Sequence, residues 1–276
     1  MGTLTEATRL NAIDEGFVVE LDPAWEGWGP AGGYLVAIAL RAVGLSVPED
    51  HRPVSLSAQF LSKGEPGAAV VRVAIRKPGG SSQVNVSLWQ AERCFFQAQI
   101  WTTARAFGPN EIRLEIPDVP AATELETLDA HFSRLGRKLV TFWANFDCRP
   151  VEFRAPGGPP PQTRRLQRWY RFRDEPATAD IFTNAARAAV LIDANVWAAH
   201  WRMLDEEPEY AGPSLDVTVA FHDTANLSDW LLLDAESDIA LDGIVNATGR
   251  VWTADGRLVT TGGGNCLVVP FRAPKH

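Results

Sequence analysis

Trp28-Gly29-Pro30-Ala31-Gly32-Gly33-Tyr34-Leu35-Val36-Ala37-Ile38-Ala39-Leu40-Arg41-Ala42-Val43 is the stretch on which the fold reading turns. A turn rich in glycine opens directly into a helix-length run whose body carries one charge, Arg41. A helix that is apolar on nearly every side has to be wrapped by protein rather than laid on a surface. It is too short and too rich in alanine for a membrane span. Gly32 and Gly33 carry no side chains, so backbone N–H groups and the positive end of the helix dipole can approach a ligand oxygen there. Taken alone, the stretch reads first as a buried helix with a glycine turn made for close packing.

Outward from this helix the pattern is β. Gly16 to Leu21 precedes it as a strand, and Pro48 ends the helical region. Pro53–Leu61, Ala68–Ile75, Gln83–Trp89 and Phe95–Thr102 follow, alternating or valine-rich and bounded by Pro and Gly, which is the signature of antiparallel neighbours. Prolines at 109, 117 and 120 then break the chain, and Thr123–Phe132 suggests a short helix in a linker. Beyond it the pattern restarts. Pro150–Arg154 reads as a strand, Pro156–Pro161 as a turn, Leu166–Phe172 as a strand and Asp180–Leu204 as a long helix that Asp180 can cap. Ser214–His222, Trp230–Ser237, Ile244–Thr253 and a run from Arg257 complete the set.

The halves also match in detail. Pro53-Val54-Ser55-Leu56…Phe60 parallels Pro213-Ser214-Leu215…Phe221, and Val84-Asn85-Val86-Ser87 parallels Val245-Asn246-Ala247-Thr248. A strand, a buried helix and four antiparallel strands, occurring twice, indicate an internal duplication. The expected class is α+β, a double hotdog in which two curved antiparallel sheets each wrap a long helix. The first unit covers 1–105, a linker 106–142 and the second unit 143–276; two unrelated α+β domains are the alternative.

Composition narrows the function. A net charge of −8 argues against nucleic-acid binding as the main activity. Cys94, Cys148 and Cys266 match no metal-ligand spacing and no disulfide framework, and the N-terminus lacks a secretory pattern, so a soluble cytoplasmic protein is expected. No Gly-x-Ser-x-Gly elbow, histidine pair at helical spacing, P-loop or dinucleotide fingerprint is present, and no metal or cofactor is expected. Carboxylate-driven chemistry with water as nucleophile is what remains.

Asp216 is the candidate acid. In Ser214-Leu215-Asp216-Val217-Thr218-Val219-Ala220-Phe221-His222, strict alternation puts Leu215, Val217, Val219 and Phe221 on one face and Asp216, Thr218 and His222 on the other. Asp193 and Asn195, inside the apolar helix Ala185–Ala199, read as a buried structural pair that stays in play as a site. Arg164, Arg165 and Arg168 with Trp169 read as an exposed strand and turn, the alternative being contact with phosphates; His222 reads as structural. Asp223-Thr224-Ala225-Asn226 is faintly similar to the Asp/His signature of hotdog hydratases but lacks the histidine.

Ser214-Leu215-Asp216, Phe221-His222, Asn226-Leu227, Asp229-Trp230-Leu231-Leu232, Glu236-Ser237 and Thr253-Ala254-Asp255-Gly256-Arg257-Leu258-Val259 together resemble the C-terminal half of the acyl-CoA thioesterase II family. Phe60-Leu61 with Gly64 and the Ala31-Gly32-Gly33 helix entry resemble its N-terminal half. The resemblance implies a double hotdog that hydrolyses acyl-CoA thioesters. It further implies an aspartate at Asp216, a hydroxyl on the next strand and a glutamine on the last strand, all holding a water. Here the hydroxyl position falls on Asp238 beside Ser237, and the glutamine position on Gly264 beside Asn265. If Asp216 and Asp238 converge, repulsion would raise one pKa and make an acid/base pair. Amides near Gly32, Gly33 and Tyr34 would meet the oxyanion. A homodimer acting on acyl-CoA, or on a carrier-bound acyl group, is expected. An acyl-CoA-binding protein without hydrolysis, or a hotdog enzyme acting otherwise on the acyl group, are the alternatives.

Overall fold

The computed structural model describes residues 2–105, 107–159, 161–175, 180–224 and 229–271. Pro160 of the expected turn, His276, Asn226-Leu227 of the family-like block and Ala225-Asn226 of the hydratase-like one lie outside them. The chain opens with a single helical turn, α1 (Leu4–Ala7), closed by a Thr3/Glu6 capping box, and then β1 (Asn11–Ile13) and β2 (Gly16–Leu21). The apolar run forms α2 (Gly32–Gly44). It is wrapped, as its composition requires: every residue from Gly33 to Leu40 is buried. Four long strands follow, β3 (Arg52–Phe60), β4 (Gly67–Lys77), β5 (Ser81–Gln90) and β6 (Arg93–Thr103).

The linker carries a helix, α3 (Leu128–Arg134), that starts at Thr127, whose hydroxyl accepts from the Ala130 amide; it lies later than the expected Thr123–Phe132. Upstream the linker runs along the outer face of the second half. The Trp169 indole donates to the Pro120 carbonyl at 2.9 Å and Arg149 donates to the Ala122 and Leu125 carbonyls. Several of the tryptophans are thereby absorbed, because Trp169 and Trp252 pack under this strap with Leu232 and Leu258.

The second half contains β7 (Phe146–Pro150), β8 (Leu166–Phe172), α4 (Ile181–Trp201), β9 (Tyr210–Ala211), β10 (Ser214–Phe221), β11 (Trp230–Leu241), β12 (Ile244–Thr253), β13 (Leu258–Leu267) and β14 (Val269–Pro270). The expected strand at Pro150–Arg154 is displaced, since β7 ends at Pro150. Arg154 explains this. Its guanidinium donates to the carbonyls of Gly158, Pro159, Arg202 and Leu204, pulling the chain off the sheet to satisfy carbonyls at the end of α4. Asp180 caps the other end of α4 through the Phe182 amide at 3.0 Å.

A second expectation is corrected. The sheets are not two separate wraps. Among the described residues the main sheet has twelve strands, continuous in the order β1-β2-β4-β5-β6-β3-β10-β13-β12-β11-β8-β7, with antiparallel pairs throughout, and β3 pairs with β10. That pairing removes two open edges, which would otherwise expose rows of unsatisfied N–H and C=O groups. Helix α2 lies on the β3–β6 part and α4 on the β10–β13 part. The two helices run side by side in opposite directions, Gly33 against the Val190 backbone and Gly44 against the Phe182 ring. Among the described residues no helix is long and apolar enough to cross a membrane.

Candidate active site

The polar focus of the interior is where α2 begins and α4 passes it. Ala31 at the N-cap offers no side-chain bond to the first turn of α2. The cap comes from the other helix: Asp193 Oδ2 accepts from the Gly33 amide at 2.6 Å. Gly32 and Gly33 make the approach geometrically possible. A Cβ at Gly32 would lie 2.7 Å from Asp193 Oδ2, and one at Gly33 2.8 Å from Val190 Cα. Asp193 is buried, and its Oδ1 has no hydrogen-bond partner among the described residues. Burial pushes its carboxyl from 3.8 up to about 6, while the Ser214 hydroxyl and the Gly33 amide pull the other way. A buried carboxyl with one oxygen fixed and one oxygen open, ionised near neutral pH, is equipped to hold and deprotonate a water.

Ser214 reaches this site through an irregularity in β10. Ser214 pairs with Cys266 and Asp216 with Asn265, so a bulge between them places two residues that alternation assigns to one face on opposite faces. Ser214 turns inward towards Asp193, Asp216 turns outward, and Leu215 is left 37% exposed instead of buried. Cys266 stands beside Ser214, and burial followed by the charge of Asp193 pushes its thiol up to about 12, so it stays a neutral thiol.

The expected constellation around Asp216 is therefore only partly assembled. Asp216 does meet Asn265, whose backbone and side-chain amides donate to it at 3.0–3.2 Å, but on the outer face. Asp238 does not converge with it. Strands β13 and β12 lie between their strands, a separation of about 14 Å at ~4.8 Å per strand. Asp238 is exposed and instead lies 3.6 Å from Arg164. Ser237 donates to the Asn246 carbonyl at 2.8 Å. Gly264 is on the inner face, but a Cβ there would run into the Asp216 carbonyl oxygen, so β10 and β13 leave no room for a side chain.

The helix-start residues divide in role. The Gly33 amide is committed to Asp193. The Tyr34 phenol is structural: it donates to the Ala7 carbonyl at 2.7 Å, accepts from the Asp22 amide at 3.2 Å and is raised to about 12 by burial. The amides of Gly32 and Tyr34 have no hydrogen-bond partner among the described residues and are the free donors at this helix start.

Asn195 is a satisfied structural residue, accepting from Tyr170 at 2.7 Å and donating to the Leu191 carbonyl at 2.8 Å. Arg168 and Trp169 are buried rather than exposed, and Arg165 pairs with Asp234 at 2.8 Å. His222 lies 3.1 Å from the Thr261 hydroxyl, away from the site.

Models of an acyl-CoA thioesterase N-terminal domain and of an acyl-CoA thioesterase C-terminal domain match residues 21–103 and 117–263. The chain belongs to the acyl-CoA thioesterase family. It is 27% identical to acyl-coenzyme A thioesterase 8 of Rattus norvegicus over 94% of this chain and 86% of that one. Two solved structures share the fold. A hot dog protein of unknown function from Alicyclobacillus acidocaldarius superposes with a TM-score of 0.82 at 20% identity, covering 96% and 97% of the two chains. An acyl-CoA thioesterase II from Mycobacterium marinum gives 0.78 at 21% identity, covering 98% and 99%.

Proposed function

We propose that this thioesterase hydrolyses acyl-CoA by a water held at Asp193, not at Asp216. One observation carries the reading: a buried carboxylate in α4 whose Oδ2 is fixed by the Gly33 amide while Oδ1 is unpartnered. A water between Oδ1 and the Ser214 hydroxyl attacks the thioester carbonyl and passes its proton to Asp193. The oxyanion is met by the Gly32 and Tyr34 amides at the positive end of α2. On collapse the C–S bond breaks, and Asp193 returns the proton to the departing CoA thiolate. The cycle needs no metal or cofactor.

This assignment sets a pH dependence. Below about 6 Asp193 is protonated and cannot act as a base, so kcat/KM rises by about tenfold per pH unit and then levels off above that value. A profile flat from pH 5 to 8, measured by free-thiol release, would remove Asp193 from the proton path. The competing reading, acyl-CoA binding without hydrolysis, is favoured by the lack of a side chain at Gly264; thiol release from any acyl-CoA in a panel rejects it.

We infer further that two hotdog units, 1–105 and 143–276, arose by duplication, and that the protein is a cytoplasmic homodimer. The parallel segments support the first inference and three free cysteines the compartment. The dimer is supported by the outer face of the sheet. Register aligns Ser87, Gln97, Gln59, Asp216, Asn265 and Asn246 in one row across six strands, and Asn85, Gln99, Ser57, Thr218, Gly263 and Thr248 in the next. On a chain of net charge −8 this patch holds one ionisable group. Amide side chains both donate and accept, so such a face is complementary to itself. Sedimentation should give a dimer, and Gln59→Arg combined with Gln97→Arg should give a monomer; a monomeric wild type defeats the proposal.

A further inference from the structure

Burial is what raises the Asp193 carboxyl, and the Ser214 hydroxyl and the Gly33 amide both work against it. Among the described residues no charged group adds to the effect. On α2 the Tyr34 phenol is turned away to Ala7 and Asp22. On β10 the next acid, Asp216, lies on the outer face, and on β13 the Cys266 thiol is neutral. On α4 itself Arg187 lies over the Phe172 ring at 5.3 Å and His200 lies against Trp197 at 5.4 Å. Past the end of β3 the first cation is Lys63, which has Glu65 at 3.9 Å. Whatever keeps water off this carboxyl therefore sets its strength as a base.

Gly33, Val190 and Cys266 around the carboxyl are buried. Phe60, the last residue of β3, is only half-buried and stands at the boundary between the carboxyl and the surface. Its place is fixed by Gly32. A Cβ on Gly32 would lie 2.7 Å from Asp193 Oδ2, 2.7 Å from Phe60 Cζ and 2.9 Å from Phe60 Cε1. Two atoms each 2.7 Å from one point are at most about 5.4 Å apart, and Gly32 puts no side chain between them. The ring thus presents its edge beside the carboxylate, and the edge carries the positive part of the aromatic quadrupole. The ring is also held in place. Phe96, fully buried in β6, tilts against it with centroids 5.6 Å apart. Just beyond, the Leu61 and Ser62 amides both donate to the Phe95 carbonyl, at 3.0 and 3.3 Å, and anchor the strand end.

We propose that Phe60 is a positioning residue for the hydrolysis: its ring is the wall between Asp193 and bulk water, and it confines the carboxylate to the one water that it activates. The proposal rests on the hydrolase reading above and deepens it. A carboxylate walled off on this side is a stronger base than one in contact with solvent, and bulk water cannot compete for its open oxygen. The ring itself touches no reacting atom; it acts through Asp193.

Phe60→Ala opens the wall. The acid limb of the kcat/KM profile should then move down from its wild-type position by about one pH unit, toward the ordinary carboxylate value. The plateau should fall by about three- to tenfold, because the base is weaker. Phe60→Leu refills the space with an apolar group and should bring the limb back to within about 0.3 pH unit of wild type. Phe60→Gln, similar in length but hydrated, should move the limb as Phe60→Ala does and serves the test if that variant does not fold. Phe172→Leu, which trims a buried aromatic on β8, is the control for lost packing and should leave the limb in place even where Tm falls. A limb unmoved in folded Phe60→Ala or Phe60→Gln, or moved equally in Phe172→Leu, overturns the proposal. Carbon-13 NMR titration of the Asp193 carboxyl separates this failure from failure of the hydrolase reading. A carboxyl that titrates lower in Phe60→Ala while the rate profile stays put keeps the wall and removes Asp193 from the chemistry. A carboxyl that titrates as in wild type removes the wall, whatever the rates do.

Discussion

Asp193→Asn lowers kcat for acyl-CoA hydrolysis by about 10²–10⁴-fold, the span that a positioned general base supplies. The change is isosteric, but an amide cannot take the proton from water. Asp216→Asn, on the outer face, leaves kcat within about threefold in the same free-thiol assay, because its side chain lies on the other side of the sheet from Asp193 and an isosteric amide preserves the polar row it belongs to. The two variants together decide between the two acids. An inactive Asp216→Asn with an active Asp193→Asn would return the chemistry to β10.

The same substitution carries a stability signature of opposite sign. The carboxyl is raised in the folded state, so between pH 3.8 and about 6 the native chain holds a proton that the unfolded chain has released. Stability therefore falls as pH rises through that window, and at pH 7 the ionised group disfavours folding by about 3 kcal/mol. Asp193→Asn should thus gain Tm relative to wild type at pH 7.5, and gain less at pH 4.5. Loss of activity with gain of stability is what a buried catalytic acid predicts; a variant destabilised equally at both values contradicts it.

Gly33→Ala has the second largest effect, and for a steric reason. The added methyl meets the Val190 Cα at 2.8 Å and its carbonyl oxygen at 2.9 Å, backbone atoms that cannot swing away. Forcing the helices apart costs about 1–3 kcal/mol, more than the ~1 kcal/mol that alanine gains in helix propensity. Tm should fall by about 5 °C, and kcat should fall with it, because the Gly33–Asp193 bond sets the water's position. Gly27→Ala, where nothing lies within 4 Å, is the control and should leave Tm unchanged. A Gly33→Ala protein as stable and active as that control would mean that the two helices do not fix the site.

The scaffold was legible because its signals are periodic. The apolar helix, the alternating strands and the parallel Val84–Ser87 and Val245–Thr248 segments all follow from side-chain spacing. The site was not, because it depends on a departure from spacing. Ser214 is turned inward by a bulge that strict alternation cannot foresee, while Asp216 keeps the outward face that alternation gives it. Asp193 was visible as an acid in an apolar helix, yet Asn195 beside it suggested a satisfied pair. What singles out Asp193 is a partner 160 residues away in sequence, the Gly33 amide, with one oxygen left over. The single sheet was missed for a related reason, since Leu56 and Val219 reveal their faces but not their neighbours across β3 and β10.

The seam between β3 and β10 also governs how the molecule can come apart. It joins residues such as Gln59 and Asp216, far separated along the chain, and the site itself takes Gly33 from one side of the linker and Asp193 from the other. Neither half can reach its working form alone. Cutting the linker should yield fragments inert singly and active only when recombined. Closure over such long loops is slow, so refolding should show the site and the seam appearing together, late, in one kinetic phase.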